Sequence, residues 1–190
     1  MGMLDRILGR TKPVAPNLDQ LFAVPSAAIT LTTAMGLRPT GLGSVCFRAA
    51  EGAAFASLEH DVQALLDADG GPPVELSQDS YGFTWVLSRH TPDEIADLVT
   101  DLHAVNSTLV DNGFGPQLLC SLVGFADESG RRLGLVYLFK RGTFYPFAPQ
   151  GGQTRDNPLE LQVRGVLAND LRVETDVSRW FPVWGAPGLG

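Results

Sequence analysis

The stretch 101–149, DLHAVNSTLVDNGFGPQLLCSLVGFADESGRRLGLVYLFKRGTFYPFAP, constrains the fold more than any other part of the chain. Ile95, Leu98, Val99, Leu102, Val105 and Leu109 keep helical spacing for about five turns, until Asn112-Gly113 supplies a left-handed stop. LLCSLVGFA at 118–126 and RLGLVYLF at 132–139 follow, joined only by Asp127 to Arg131. So short a link joins antiparallel neighbours, because a parallel crossover needs about a dozen residues or more. The near-continuous apolar character of both runs predicts central strands covered on much of both faces.

Thr91-Pro92-Asp93-Glu94 reads as a capping box with Pro at the first helical position, which satisfies orphan amides and starts the long helix there. Before it, PVELS at 73–77 and GFTWVLS at 82–88 flank the turn residues Gln78 to Tyr81. Phe83, Trp85 and Leu87 alternate onto one face, so this pair reads as a half-buried hairpin. Ser57 caps a helix with Leu58, Val62, Leu65 and Leu66 in one stripe, ended by Gly70-Gly71. AITLTT at 28–33 and SVCFR at 44–48 read as the first two strands, separated by the turn-rich link GLRPTGLG. Asn17 caps a short helix through Leu21 and Phe22 that Pro25 stops, and Asn157-Pro158-Leu159-Glu160 opens a last helix using Leu159, Val163, Val166 and Leu167. This order predicts an α+β protein, a mainly antiparallel sheet with helices packed mostly on one face. The expected organisation is a single domain over 1–190, with a short N-terminal helical segment at 1–24 and an aromatic, proline-rich tail at 176–190.

Of the 190 residues, 44% are apolar and 18% charged, which places the chain among globular proteins and away from disordered compositions. The formal net charge of -7 opposes general nucleic-acid binding, because phosphate contacts need clustered Lys and Arg. MGMLDRILGR has no uninterrupted apolar core of a secretory signal, and no stretch approaches the ~20 apolar residues of a membrane span. A cytoplasmic location is expected, with any membrane contact peripheral at the inner face. Leu4, Ile7 and Leu8 share one side of a short N-terminal helix, near Arg6, Arg10 and Lys12. That helix can pack on the protein body, dock on a partner helix or lie on a bilayer surface.

No motif announces a reaction. His60, His90 and His103 fall in no HExxH or close His/Cys spacing, and Asp101 and His103 diverge by about 200° on a helix. Neither Ser44 nor Ser121 has GxSxG surroundings, and GxxxxGK[ST] is absent. Hence no catalytic, metal-ligating or cofactor-binding residue is assigned. Cys46 and Cys120 sit inside apolar strand-like runs, as reduced buried residues do; a cysteine-dependent hydrolase stays an alternative because a distant His could meet them in space. Lys140-Arg141-Gly142-Thr143-Phe144-Tyr145-Pro146-Phe147 places cations beside aromatics, the chemistry of interface anchors. It reads also, and with more weight, as an edge strand blunted by Pro146 and folded onto the core by Phe144 and Phe147; the tail around Trp180 and Trp184 poses the same choice between packing and docking. The candidate partner-binding residues are Leu4, Ile7, Leu8, Lys140, Arg141, Phe144, Tyr145, Phe147, Trp180 and Trp184.

The blocks PNLDQLFAVPSA, DLHAVNSTL, FGPQLLCSLVGF, LVYLFKRGTFYPFAP and RWFPVWGAP together resemble the actinobacterial PspAB family, the phage-shock-protein-A-associated proteins. The resemblance implies a cytoplasmic accessory protein of an envelope-stress system that includes PspA-type membrane-remodelling proteins. It further implies association with an HtpX-like membrane zinc metalloprotease, and it supplies no catalytic residues. A non-enzymatic adaptor acting through protein contacts is the expectation. A small-ligand-binding domain, with its cavity between sheet and helices, is the alternative beside the hydrolase.

Overall fold

The computed structural model describes residues 17–49 and 73–189, and between them residues 52, 56, 57 and 60–64. The N-terminal helix with Leu4, Ile7 and Leu8 lies outside the described residues, as do Leu58, Leu65 and Leu66 of the helix expected after Ser57. Residues 60–64 of that helix are helical, and its Val62 is buried in the core.

Six strands form one antiparallel sheet: β1 (Arg38–Arg48), β2 (Glu75–Gln78), β3 (Phe83–Arg89), β4 (Leu118–Ala126), β5 (Arg132–Leu138) and β6 (Thr143–Phe147). Their spatial order is β2-β3-β1-β4-β5-β6, so the two apolar runs after the long helix do occupy interior positions. Residues Pro149–Gln150 (β7) and Thr154–Arg155 (β8) pair as a small ribbon. Besides the helical residues 60–64, the described residues form the α-helices α1 (Val24–Met35), α2 (Ile95–Asp111) and α3 (Asn157–Val166). None of the described helices is long and apolar enough to cross a membrane.

The first predicted strand, 28–33, is instead part of α1. The 3-10 turn Leu18–Ala23, capped by the Asn17 side chain, runs directly into this helix, and Pro25 sits in its first turn. Proline is tolerated there because an N–H at that position would have no intrahelical acceptor, so Pro25 opens a helix where it was expected to end one. Val24, Ala27, Ala28 and Leu31 are buried at helical spacing. Gly36, at φ +69, closes α1: its N–H donates to Thr32 O, and Leu37 N–H donates to Leu31 O. The expected turn-rich link 36–43 also differs, because β1 begins at Arg38 and absorbs Pro39 and the glycines at a bulge between Pro39 and Gly43.

Two helix starts move by a few residues. Residues Thr91 to Glu94 form a hydrogen-bonded turn, with the Glu94 carboxylate accepting from Thr91 N–H at 2.9 Å and from Thr91 Oγ1 at 2.8 Å. Regular helix begins at Ile95. For α3 the cap is Asp156, one residue before the expected Asn157; its carboxylate accepts from Leu159 N–H at 3.0 Å.

The sheet is buried on both faces. Val45, Phe47, Val86, Val123, Leu135 and Tyr137 point toward the helices and meet Leu31, Leu98, Leu102, Val105 and Val163. The alternate residues Cys46, Trp85, Cys120, Leu122, Val136, Tyr145 and Phe147 point the other way and pack with Trp180, Ala186 and Leu189. The expected half-buried hairpin is thus corrected at β3, where Thr84, Val86 and Ser88 are buried as well as Trp85 and Leu87. Its second face is covered because β3 lies between β2 and β1 over α2.

A C-terminal strap closes the helix-free face. Ser44 Oγ donates to Pro187 O at 2.7 Å, and Tyr145 Oη donates to Phe181 O at 2.7 Å. Close approach depends on missing side chains in the sheet. A methyl group at Gly124 would stand 2.2 Å from Gly188 O and 2.7 Å from Thr40 Oγ1. Gly124→Ala is therefore expected to lift the strap and to destabilise the protein by about 1–3 kcal/mol, the usual cost of overpacking. Urea unfolding would read the loss, and faster proteolytic trimming of the tail would assign it to the strap; unchanged values for both would contradict this packing.

Candidate functional site

Between the strap and strands β3, β1, β4 and β5 lies a cavity of about 620 Å³. Its size suits a small ligand or an inserted side-chain cluster. Cys46 of β1 and Cys120 of β4 contribute to its sheet wall, with Leu119 and Leu138 beside them. One side is Tyr81, Phe83 and Trp85 from the β2–β3 hairpin; the other is Phe181, Pro182, Val183 and Trp184 from the strap. Tyr145 completes the interior, while Lys140, Arg141, Arg179 and Asp79 stand among the lining residues as its charged groups.

Asp79 is spent on architecture. Its Oδ1 accepts from Tyr81 N–H at 2.9 Å and Phe83 N–H at 3.0 Å, and its Oδ2 accepts from the Trp85 indole at 3.0 Å. Desolvation pushes this carboxyl up, but the Trp85 and backbone hydrogen bonds together outweigh it and hold the group below its ordinary value. The hairpin turn is thereby locked to the ring that walls the cavity. Arg141 is likewise engaged, 3.0 Å from the buried Glu174 carboxylate, which also accepts from Thr143 Oγ1 at 3.0 Å. Arg179 pairs with Asp176 at 3.0 Å. Among the described residues Lys140 has no ionic partner, and it is exposed. The positive end of the cavity therefore has one uncommitted ammonium and two guanidinium groups whose remaining N–H donors are free of those pairs.

The residues singled out in the sequence divide three ways. Lys140, Arg141, Tyr145 and Trp184 meet in the cavity, although two separate segments supply them. Phe144 turns to the helix side, where its ring lies 5.0 Å from Tyr137, so the fold uses it as core. Phe147 is fully buried beneath Trp184, with ring centroids 4.8 Å apart in an edge arrangement, and Trp180 is 5% exposed and stacked on Tyr145 at 6.2 Å. Phe147 and Trp180 thus back the cavity wall from behind. The edge reading of β6 also holds, with a difference: Phe144 N–H donates to Arg172 O and Glu174 N–H to Phe144 O, so residues 172–174 cover the edge.

Sequence reasoning missed Tyr81, Asp79 and both cysteines as lining residues, whereas Phe181 lies within the aromatic tail it singled out. The signal for Phe83 and Trp85 was present, since their alternation already placed them together on one face. The cavity also lies opposite the place expected for a ligand, on the strap side of the sheet and away from the helices. Its exposed apolar groups include Tyr81 at 76% and Phe181 at 61% of their possible surface.

The histidines lie elsewhere. His90 Nε2 is 2.7 Å from Asp101 Oδ2, and Ser88 Oγ donates to the same oxygen. Asp101 thus stands between Ser88 and His90, so the imidazole is not placed to take the serine proton. His103 on α2 packs against Phe22 with ring centroids 4.8 Å apart and lies 3.6 Å from Asp19. Among the described residues no group of three or more His, Cys, Asp or Glu side chains gathers as metal ligands do. The cysteines face away from α2. Hydrogen bonding with Cys120 and desolvation push the Cys46 thiol up, with the Asp79 charge adding to both. That environment opposes a thiolate nucleophile.

The chain matches the family PspAB, PspA associated protein B, over residues 1–188. No curated protein and no solved structure matches it.

Burial pushes the Tyr145 hydroxyl up, and on the other face burial pushes Tyr137 up to about 12. For both tyrosines the folded value exceeds the unfolded value of about 10. Their contribution to stability is therefore fully present below about pH 10 and lost as pH rises through the folded values. Urea unfolding between pH 7 and about pH 12 should show that decline, with a shallower slope for Tyr145→Phe. At neutral pH the same variant should lose about 1 kcal/mol with its hydrogen bond to Phe181 O. An alkaline slope identical to that of the unsubstituted protein would refute the assignment.

Proposed function

Because the chain belongs to the PspAB family, we propose that it is a non-enzymatic accessory protein of a PspA-type envelope-stress system, holding its partner in the aromatic cavity between sheet and strap. The single observation that carries this reading is convergence: the cationic-aromatic turn at Lys140 and the aromatic tail at Trp184 line the same cavity. Interface anchors concentrate in such pockets, where aromatic walls exclude water around an inserted side chain. The occupant is a protein segment with an apolar side chain to bury and a neighbouring carboxylate. Lys140 is uncommitted and Arg141 and Arg179 stand nearby, while the one lining carboxylate, Asp79, already has its oxygens filled. A PspA-type protein is the first candidate partner and an HtpX-like membrane metalloprotease the second. Either would bring the protein to the inner face of the membrane by association.

Calorimetry with a purified PspA-type protein of the same organism tests this. Phe181→Ala and Trp184→Ala remove rings from the strap side, and Lys140→Glu reverses the free charge. Each is expected to weaken binding by about 10-fold or more, corresponding to losses of at least about 1.4 kcal/mol. A version lacking residues 1–12 separates any contribution of the N-terminal segment. Unaltered affinity in all three cavity variants would remove the cavity from the interface. A second reading, a small apolar ligand, is favoured by the volume of about 620 Å³. It predicts a ligand-induced rise in melting temperature without any partner present.

A further inference from the structure

The docking reading gives no task to the two cysteines in the cavity wall, yet the register of the sheet sets them directly opposite each other. Cys46 of β1 pairs with Cys120 of β4. His90 N–H donates to Gly41 O, and Phe139 N–H donates to Leu119 O. Two-residue alternation from those bonds turns the peptide groups of Cys46 toward β4 and those of Cys120 toward β1. The two cysteines therefore form a hydrogen-bonded antiparallel pair, with Cα atoms about 5.5 Å apart and side chains on the same face. That separation falls within the range of about 4.4–6.8 Å that a disulfide accepts. Both thiols are free, buried at 3% and 7% exposure, and both cysteines line the cavity.

We propose that Cys46 and Cys120 form a reversible intramolecular disulfide, a redox modification site in the wall of the cavity, with a low-molecular-weight disulfide as oxidant. One cysteine thiolate attacks a sulfur of the oxidant R–S–S–R, releasing R–SH and leaving a mixed disulfide. The second cysteine thiolate then attacks the protein sulfur of that mixed disulfide and releases the other R–SH. Two electrons pass from the cysteines to the oxidant, and their two protons end on the released thiols. The cavity supplies the approach path, and its apolar walls suit a small uncharged oxidant.

The same geometry makes the bond labile. Opposed residues in a sheet hold their Cβ atoms about 4.5–5.5 Å apart, whereas a relaxed disulfide wants about 3.8 Å. Closure must draw β1 and β4 together, and the register irregularity beside Cys46 supplies local freedom to do so. A strained disulfide is more easily reduced than a relaxed one, so the pair returns to thiols when the surroundings become reducing. The upward push on the Cys46 thiol keeps the reduced pair slow to react at neutral pH and quicker as pH rises.

The full chain treated with bis(2-hydroxyethyl) disulfide, without denaturant, provides the test. The expected product has lost the mass of two hydrogens and has no titratable thiol. Peptide mapping should join the β1 peptide to the β4 peptide, and dithiothreitol should restore both thiols. Cys46→Ser and Cys120→Ser should each stop at a mixed disulfide, with thermal unfolding confirming that each variant is folded. Formation of the linked product should accelerate from pH 7 to pH 9. Two titratable thiols at equilibrium in the oxidising buffer would overturn the proposal. So would mixed adducts that never close, or linkage that arises only in denaturant or between chains.

Discussion

Strand β1 is the constraint on which the rest of this structure depends. It is the one strand that joins the β2–β3 hairpin to the β4–β5–β6 meander, pairing antiparallel with β3 on one side and β4 on the other. Because side chains alternate along a strand, its register decides which residues face the helices and which face the strap. Val45 and Phe47 enter the helix-covered core, and Cys46 enters the opposite layer. A slip by one residue would exchange these sets and would remove both the cysteine pair and the wall of the cavity. Gly41 protects this register: a methyl there would stand 2.1 Å from His90 O, at a backbone φ of +79 that side chains rarely adopt.

The two sheet faces are closed by different means. On one face, helices bring whole stripes of apolar residues, as Leu98, Leu102, Val105 and Leu109 of α2 show. On the other, a strap without regular secondary structure at Phe181 to Leu189 must approach the backbone closely, so it relies on Gly124, Gly134 and hydrogen bonds to side chains such as Ser44 and Tyr145. The strap is held at its origin by Glu174, whose buried carboxylate binds Arg141 and Thr143 while its carbonyl accepts from the Trp180 indole. Burying that carboxylate is tolerable because its oxygens are filled by charged and neutral donors. The cavity is the space left between the strap residues Phe181 to Trp184 and the β2–β3 hairpin residues Asp79 to Trp85.

Much of the sheet was legible because its strands carry local signals. The bounds of β4 agree with the apolar run read from sequence, and those of β5 differ by one residue, because each run is bracketed by turn residues. The reading failed at 28–33, where Ile29, Thr30, Thr32 and Thr33 suggest a strand by type while Val24, Ala27, Ala28 and Leu31 describe a helical stripe by spacing. Tertiary packing chose the spacing, since those four residues are what α1 buries. The cavity was only half legible. Its aromatic contributors could be named on chemical grounds, but Phe144 and Tyr145 are neighbours of the same type, and only the pleat of β6 decides that one faces core and the other faces the cavity.

By itself the sequence determined the antiparallel pairing of β4 with β5 and the long helix before them, because each rests on patterns within a few dozen neighbouring residues; the fold class and the family to which the chain belongs were legible from the order of such patterns along the chain. The tertiary structure alone decided that the turn at Lys140 and the tail at Trp184 share one cavity, that Cys46 meets Cys120, and that the cavity opens on the strap side. Those are contacts between residues far apart in the chain. Their formation depends on strand order and on the direction of the C-terminal strap, and no local spacing of residue types encodes either one.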